Sequence, residues 1–250
     1  DVLKAQLVCK RWKEVGDDER TWKTFWSSFV TKHLVSSKLI VTLLAEHQSL
    51  KKAYWTAKKR LFIWDDKPLP VELLECLKIS EDKKTIEKLK SNSSRYITVR
   101  GNRVFKRGTG IYQWKICISA NFAENLEMNT YLKIGLCSPE HDLSTSIGYS
   151  SCGVGYGLGY RWSFDGGLSV YGKRFKNQDI VECILDTNKP SLSYIHNGKH
   201  LGEAYQKLPW GNDQLYPAVS FDEPGERISL EFDEFTVAMA VDSDTTLWLQ

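Results

Sequence analysis

The sequence predicts a mainly β protein, an antiparallel β-sandwich preceded by a small all-helical segment. Apolar residues follow a helical spacing over roughly the first 60 positions, and many short β-type segments separated by turn residues come afterwards. Nine Trp, eleven Tyr and ten Phe are also spread along the chain, which suits the pleated surface of a sheet. We therefore divide the chain into a helical segment, residues 1–60, a sandwich, residues 61–235, and a C-terminal tail, residues 236–250.

Three apolar stripes with helical spacing predict the helical segment. The first stripe ends at Gly16, and Asp17 and Asp18 supply capping carboxylates for the helix that follows. The stripes contain Leu3, Leu7, Val8, Trp12 and Val15, then Trp22, Phe25, Trp26 and Phe29, then Leu43, Leu44, Leu50, Tyr54, Ala57 and Leu61. Such short helices need packing partners to be stable.

The β pattern begins after Pro68 and Pro70, which interrupt helical continuation. Asn197-Gly198 is the clearest turn signal, because both central residues of a type I′ hairpin need positive φ. The predicted strands are Leu73–Ile79, Thr85–Leu89, Tyr96–Phe105, Tyr112–Ser119, Tyr131–Cys137, Tyr160–Phe164, Gly167–Tyr171, Ile180–Asp186, Ser191–His196, Tyr216–Phe221 and Arg227–Phe232. The tail is either frayed or a strand that docks back through Trp248.

Composition limits the classes of partner and compartment. The net charge of +3 is small, and its basic excess lies within residues 1–70, so a nucleic-acid partner is not expected. The six cysteines form no C-x-x-C pair and are interpreted as reduced, mostly buried thiols. No apolar run approaches the roughly 18 residues that span a bilayer. We expect a cytoplasmic or nuclear protein with no membrane partner.

The motifs that could suggest catalysis or ligand binding do not have the residue spacing that such sites require. Glycine occupies every second position of Gly153–Gly159, whereas the dinucleotide fingerprint requires G-x-G-x-x-G, so these glycines predict tight loops or close backbone approach. His196 and His200 are separated by the hairpin turn and are expected on the surface rather than at a metal. We expect no enzyme activity, no cofactor and no metal.

Five motifs in order resemble those of the SPRY (B30.2-like) family. They are Gly108–Ile118, Tyr131–Leu136, Gly159–Gly166, Ile180–Tyr205 and Leu215–Ser220. The resemblance covers about residues 62–234 and implies a SPRY-type sandwich, with Trp114 and Trp162 of these motifs in the core. It also implies protein recognition by loops mounted on that scaffold.

The resemblance further implies a peptide-binding surface at one end of the sandwich. Matching the motifs outward places that surface on Ser93, Ser94, Arg95, Tyr149, Cys152, Phe221, Asp222 and Glu223. Tyr149 is the expected aromatic anchor, since aromatic residues dominate interface energetics. The two acids at 222 and 223 make a basic ligand segment plausible.

The helical segment resembles the second half of an F-box. The resemblance rests on Leu7–Val15 and Glu19–Phe25, and the first half of the motif would precede Asp1. It implies contact with the Skp1-type subunit of an SCF ubiquitin ligase through Leu7, Val8, Trp12 and Trp22. The chain would then be a substrate adaptor. The alternatives are a stand-alone SPRY scaffold without a ligase role and, less favoured, a carbohydrate-binding sandwich.

Overall fold

The computed structural model describes residues 22–24, 27, 62–91, 95–119, 131–163 and 167–230, together with the backbone of Thr236–Ala238. The chain divides into two compact units, Asp1–Leu61 and Phe62–Gln250. In the first unit, residues 22–24 and 27 are helical, and the Trp22 side chain is buried. Among the described residues, no helix has the length and apolar character needed to cross a bilayer.

The second unit consists of two antiparallel sheets. Their strands are β1 (Trp64–Asp65), β2 (Leu77–Ile79), β3 (Thr85–Lys88), β4 (Ile97–Gly101), β5 (Phe105–Lys106), β6 (Ile111–Ile118), β7 (Lys133–Cys137), β8 (Gly153–Gly157), β9 (Tyr160–Trp162), β10 (Leu168–Val170), β11 (Ile180–Asp186), β12 (Ser191–His196), β13 (Lys199–Tyr205), β14 (Gln214–Phe221), β15 (Arg227–Leu230) and β16 (Thr236–Ala238). The first sheet has the order β1-β4-β14-β7-β8-β9-β10, with β5 also paired to β14. The second has the order β13-β12-β11-β6-β15-β3-β2, with β16 also paired to β6.

The mainly β, two-sheet prediction is confirmed, and several strands match their predicted bounds. Strands β11 and β12 begin and end where the sequence predicted, and their residues alternate between buried and partly exposed. The turn after β12 is also confirmed, because Asn197 and Gly198 have φ values of 49° and 76°. Local alternation and turn chemistry therefore agree with the fold in this hairpin.

Other elements differ from their predictions. The predicted strand Leu73–Ile79 is divided between a helical turn, Val71–Leu74, and the short strand β2. Pro70 precedes that turn with φ −57°, a value favourable for starting a helix. The predicted strand Tyr96–Phe105 is likewise divided into β4 and β5, and strand β8 was not predicted.

The tail contributes at least one strand. The backbone of Thr236–Ala238 pairs with Ile111–Gln113 of β6, so this part of residues 236–250 is not frayed. Trp248, through which docking was expected, lies outside the described residues.

The core lies between the two sheets. The largest fully buried side chains include Trp64, Tyr156, Tyr194, Phe62 and Phe105. Trp114 is 3% exposed, which confirms its predicted place in the core. The Tyr194 hydroxyl of β12 donates to the Ile134 carbonyl of β7 at 2.9 Å, which satisfies a buried polar group while joining the two sheets.

His196 is buried, so its predicted position on the hairpin surface was wrong. Its ring nitrogens lie 2.7 Å from Asp179 Oδ2 and 3.0 Å from the Tyr156 hydroxyl. Alternation along β12 directs this side chain inward, and the hydrogen bonds compensate its burial. His200, in contrast, is exposed as expected.

Candidate functional site

The segment that joins β7 to β8, residues 138–152, lies across the outer face of the first sheet. The Thr98 hydroxyl donates to the Thr145 carbonyl at 2.6 Å, and the Ile147 amide donates to Ser220 Oγ at 2.9 Å. Thr98 and Ser220 are directly opposite one another on β4 and β14. The segment is therefore fixed to the sheet, and strands β7 and β8 are buried on both faces.

Glycines in β8 allow this close approach. A Cβ atom at Gly155 would lie 2.7 Å from Ile147 Cδ1, and one at Gly153 would lie 3.2 Å from Ile147 Cα. Gly148 has a φ of +85°, and a Cβ there would lie 2.4 Å from the Trp162 Cβ. The predicted close backbone approach is confirmed, and the glycines belong to a buried strand rather than to loops alone.

This covering segment, residues 138–152, contains Tyr149, which belongs to a group of three aromatic residues around Lys133. We call Tyr96, Tyr149, Trp162 and Lys133 the aromatic cluster. The Tyr149 ring packs edge-on against Tyr96 and Trp162, with centroid separations of 5.4 and 5.3 Å. Tyr149 remains 50% exposed. The structure thus presents a half-exposed ring whose orientation is fixed by its neighbours.

Lys133 lies beneath the rings and is almost fully buried. Its Nζ is 3.6 Å from the Tyr149 ring centroid, 3.9 Å from that of Trp162, and 2.9 Å from Ser146 Oγ, to which it donates. Burial lowers the pKa of Lys133 to about 7, against the opposing effect of the Asp222 carboxylate. The two ring faces stabilise the charged form by cation–π attraction. Lys133 of strand β7 therefore holds the exposed Tyr149 ring against the sheet through an electrostatic contact.

A charged network borders the aromatic cluster. Arg95 Nε donates to Asp222 Oδ1 at 2.5 Å, and Lys88 Nζ donates to the Asp222 carbonyl at 2.6 Å. The hydrogen bond to Asp222 raises the pKa of Arg95. The Glu226 carboxylate accepts from the Asp222 amide at 2.6 Å. Arg95 also lies 5.8 Å from the Tyr96 ring centroid, which joins the network to the cluster.

The expectation that the two acids bind a basic ligand is not supported for Asp222. Its side chain is 0% exposed and is already paired with Arg95, so it has no free surface for a cation. Glu223 is 39% exposed and lies 3.3 Å from Arg95, which offsets its charge as well. The acids stabilise the position of Arg95 rather than forming a free anionic patch.

Other predicted site residues have different positions. Phe221 is fully buried in the core at the end of β14, because alternation along the strand turns its side chain inward. The Cys152 carbonyl accepts from the Ser138 amide at 2.8 Å, which fixes the end of the covering segment. Ser93 and Ser94 lie outside the described residues. Of the predicted surface, the structure brings Arg95, Asp222 and Glu223 together, beside a cluster that contains Tyr149.

Tyr96 and Lys133 were not among the predicted site residues, and Trp162 was expected in the core. Trp162 is only partly buried, and its amide donates to the Tyr205 hydroxyl at 2.9 Å while its ring packs on Tyr149. The available signal was a lysine in the otherwise apolar run Tyr131–Leu136, since lysine is rarely fully buried without compensating contacts.

The predicted contacts to a ligase subunit lie mainly outside the described residues. Leu7, Val8 and Trp12 belong to that part of the chain. Trp22 is described and is 8% exposed, so little of its side chain is available to a partner.

The aromatic cluster presents an apolar and aromatic surface with polar groups at its border. Such a surface suits the binding of another molecule. Among the residues that the structure describes, no group of three His, Cys, Asp or Glu side chains could hold a metal ion. The exposed groups at the cluster are the Tyr149 ring and the Arg95 and Glu223 side chains, which suit contact with a protein segment.

Residues 112–235 match the family model of the SPRY domain. Relatives include the Drosophila melanogaster Ran-binding proteins 9/10 homolog, which is 30% identical over 108 residues, 42% of this chain and 11% of that protein. Human Ran-binding protein 9 is 24% identical over 153 residues, 60% of this chain and 20% of that protein. The chain therefore matches no more than a fifth of the length of either relative.

Solved structures share the fold. The SPRY domain of human HERC1 superposes with a TM-score of 0.50 at 21% identity, covering 67% of this chain and 96% of that one. The TRIM65 PSpry domain gives a TM-score of 0.50 at 14% identity, covering 70% and 96%. The chain thus contains a SPRY domain, which is a protein-interaction module.

Proposed function

We propose that this chain, whose residues 112–235 are a SPRY domain, is a substrate adaptor that uses the aromatic cluster to bind a protein segment for an SCF-type ubiquitin ligase. Catalysis would belong to its partners. The chain would supply proximity by raising the effective concentration of the bound protein near the ligase.

The half-exposed Tyr149 ring is the observation that supports recognition at this site. It contacts Tyr96, Trp162 and Lys133, so binding would not need to immobilise a mobile side chain. A rigid aromatic residue surrounded by polar groups is the arrangement found at interface hot spots. We therefore assign Tyr149 as the anchor, with Arg95 and Glu223 at its border.

The charge balance at the cluster indicates the kind of ligand. Arg95 is an exposed cationic group close to the rings, while Asp222 is buried and paired. A ligand segment with an apolar or aromatic side chain and a carbonyl or carboxylate group beside it fits this surface better than a basic segment. Such a group would accept from the exposed guanidinium of Arg95.

A peptide-binding experiment tests the recognition site. Peptides would be selected on the whole chain from a phage-displayed library of random sequences, and their Kd values measured by fluorescence anisotropy. Tyr149→Ala should weaken binding by about tenfold or more, the usual loss at an aromatic hot spot. Val104→Ala is the matched control, because Val104 is also an exposed apolar residue, at 42%. Equal binding by both variants would contradict the proposal.

The ligase role rests on the F-box resemblance of the helical segment. A pull-down with a purified Skp1-type subunit tests it, using the chain extended by its natural upstream sequence. Binding that is lost in Trp12→Ala and kept in Lys23→Ala would support the adaptor role, because Lys23 is exposed. No binding by the extended chain would leave a stand-alone SPRY scaffold as the function.

A further inference from the structure

Strand β10 is the last strand of the first sheet, and one of its edges is open among the described strands. The Ser163 amide donates to the Gly167 carbonyl at 3.0 Å, and the Tyr171 amide donates to the Gly159 carbonyl at 2.7 Å. Antiparallel pairing alternates, so Gly167, Ser169 and Tyr171 direct their backbone groups towards β9. The backbone N–H and C=O groups of Leu168 and Val170 therefore point away from the sheet.

The side chains of the same two residues form an apolar surface. Leu168 is opposite Trp162 and Val170 is opposite Tyr160, so all four lie on the outer face of the sheet. Leu168 is 52% exposed and Val170 is 81% exposed. Because Trp162 also packs on Tyr149, this surface is continuous with the aromatic cluster.

Basic residues lie in strand β9 and directly after strand β10. Lys173 and Arg174 follow β10 closely and are exposed, and no carboxylate among the described residues pairs with either. Arg161 donates to Ser169 Oγ at 2.5 Å and to the Ala204 carbonyl at 2.6 Å. Behind the strand is a groove of about 580 Å³ whose lining includes one exposed lysine, Lys207, and one exposed acid, Glu203.

We propose that the open edge of β10 binds an extended acidic segment of the partner protein as an added strand. Leu168 and Val170 can each exchange two backbone hydrogen bonds with such a segment, and their side chains pack against its apolar residues. An acidic residue of the segment then lies near Lys173 and Arg174. The inference rests on the proposed function, because the same ligand occupies the aromatic cluster through its anchor side chain.

Val170→Pro is the principal test. Proline removes an N–H that points away from β9, a position where an edge strand tolerates it, and so spares the pairing of β10 with β9. Val170→Ala, the matched control, shortens the side chain and keeps the N–H. For the peptide selected by phage display, Val170→Pro should raise Kd by at least about tenfold and Val170→Ala by about threefold or less. Lys173→Glu with Arg174→Glu should also weaken binding, more at low salt than at high salt.

Amide hydrogen exchange of the unmodified chain provides a second measurement that needs no variant. The amides of Leu168 and Val170 should exchange rapidly in the free chain and become protected when the peptide binds, whereas that of Ser169 is protected in both states. Rapid exchange of Leu168 and Val170 in the complex would overturn the inference.

The two proposals fail in different ways. If Tyr149→Ala loses binding while Val170→Pro binds within about twofold of the unmodified chain, the added strand is rejected and recognition at the cluster stands. If Tyr149→Ala retains full affinity, the proposed function itself is contradicted. Selection of predominantly basic peptides would overturn the assignment of an acidic partner.

Discussion

Lys133→Met should change how the stability of the protein depends on pH. Burial lowers the pKa of Lys133 to about 7 in the folded chain, against 10.5 for the ordinary side chain. Between these values the unfolded chain holds the proton and the folded chain releases it. The unfolded chain thus binds more protons, and the free energy of unfolding rises with pH across this window.

The magnitude follows from the two pKa values. Integrating the proton linkage from about pH 7 to about pH 8.5 gives a gain in the free energy of unfolding of about 1–2 kcal/mol from Lys133 alone. Lys133→Met keeps the length of the side chain and removes its titration. The difference in free energy of unfolding between the unmodified protein and Lys133→Met should therefore change by that amount over this pH range. Lys88, whose pKa is also lowered, and the thiols of Cys137 and Cys183, whose pKa values are raised, are present in both proteins and cancel.

Urea denaturation followed by tryptophan fluorescence measures these free energies at each pH. Lys133→Arg is the matched control, because an arginine remains charged throughout this range and bears the cost of burial at every pH. Lys133→Arg should be less stable than Lys133→Met. Its free energy of unfolding should not show the rise with pH that Lys133 produces in the unmodified protein. The proposed titration of Lys133 would be refuted if the difference in free energy of unfolding between the unmodified protein and Lys133→Met stayed constant from about pH 7 to about pH 8.5.

Three further predictions concern the scaffold. Gly155→Val should destabilise the protein by about 1–3 kcal/mol, because its Cβ would lie 2.7 Å from Ile147 Cδ1; an unchanged urea midpoint would show that the covering segment is not closely packed. Arg95→Ala should cost about 1–3 kcal/mol by leaving the buried Asp222 carboxylate without its hydrogen-bond donor, and the combination with Asp222→Asn should recover part of that loss in the same assay. Gly198→Ala should lower stability by roughly 1 kcal/mol, since its φ of 76° is unfavourable for a residue with a Cβ; an unchanged Tm would indicate a different turn.

Much of the sandwich could be predicted because its signals are local. Strands β11 and β12 alternate along their length, and the turn between β12 and β13 needs only two residues of the right chemistry. Strand β8, which was not predicted, lacks such a local signal. Its glycines at alternate positions weaken strand propensity, and their role depends on Ile147, which packs against them from the covering segment.

The candidate site was only partly predictable for the same reason. The family resemblance placed Tyr149, Arg95, Asp222 and Glu223 near one another, and three of them form a single network. Whether a carboxylate is free or paired cannot be read from its own neighbours in sequence. Arg95 and Asp222 are 127 positions apart, and their hydrogen bond removes the anionic surface that the sequence indicated.

The sequence by itself determined the sandwich architecture and the hairpin, since periodicity and turn chemistry act over a few residues, and its motifs carried the resemblance to the SPRY family. Only the tertiary structure decided the position of Lys133 beneath two aromatic rings and the burial of Phe221 and His196. It also decided the continuity of the exposed Tyr149 with the open edge of β10. These features arise where distant strands and the covering segment meet, because burial and charge pairing depend on neighbours that only folding brings together.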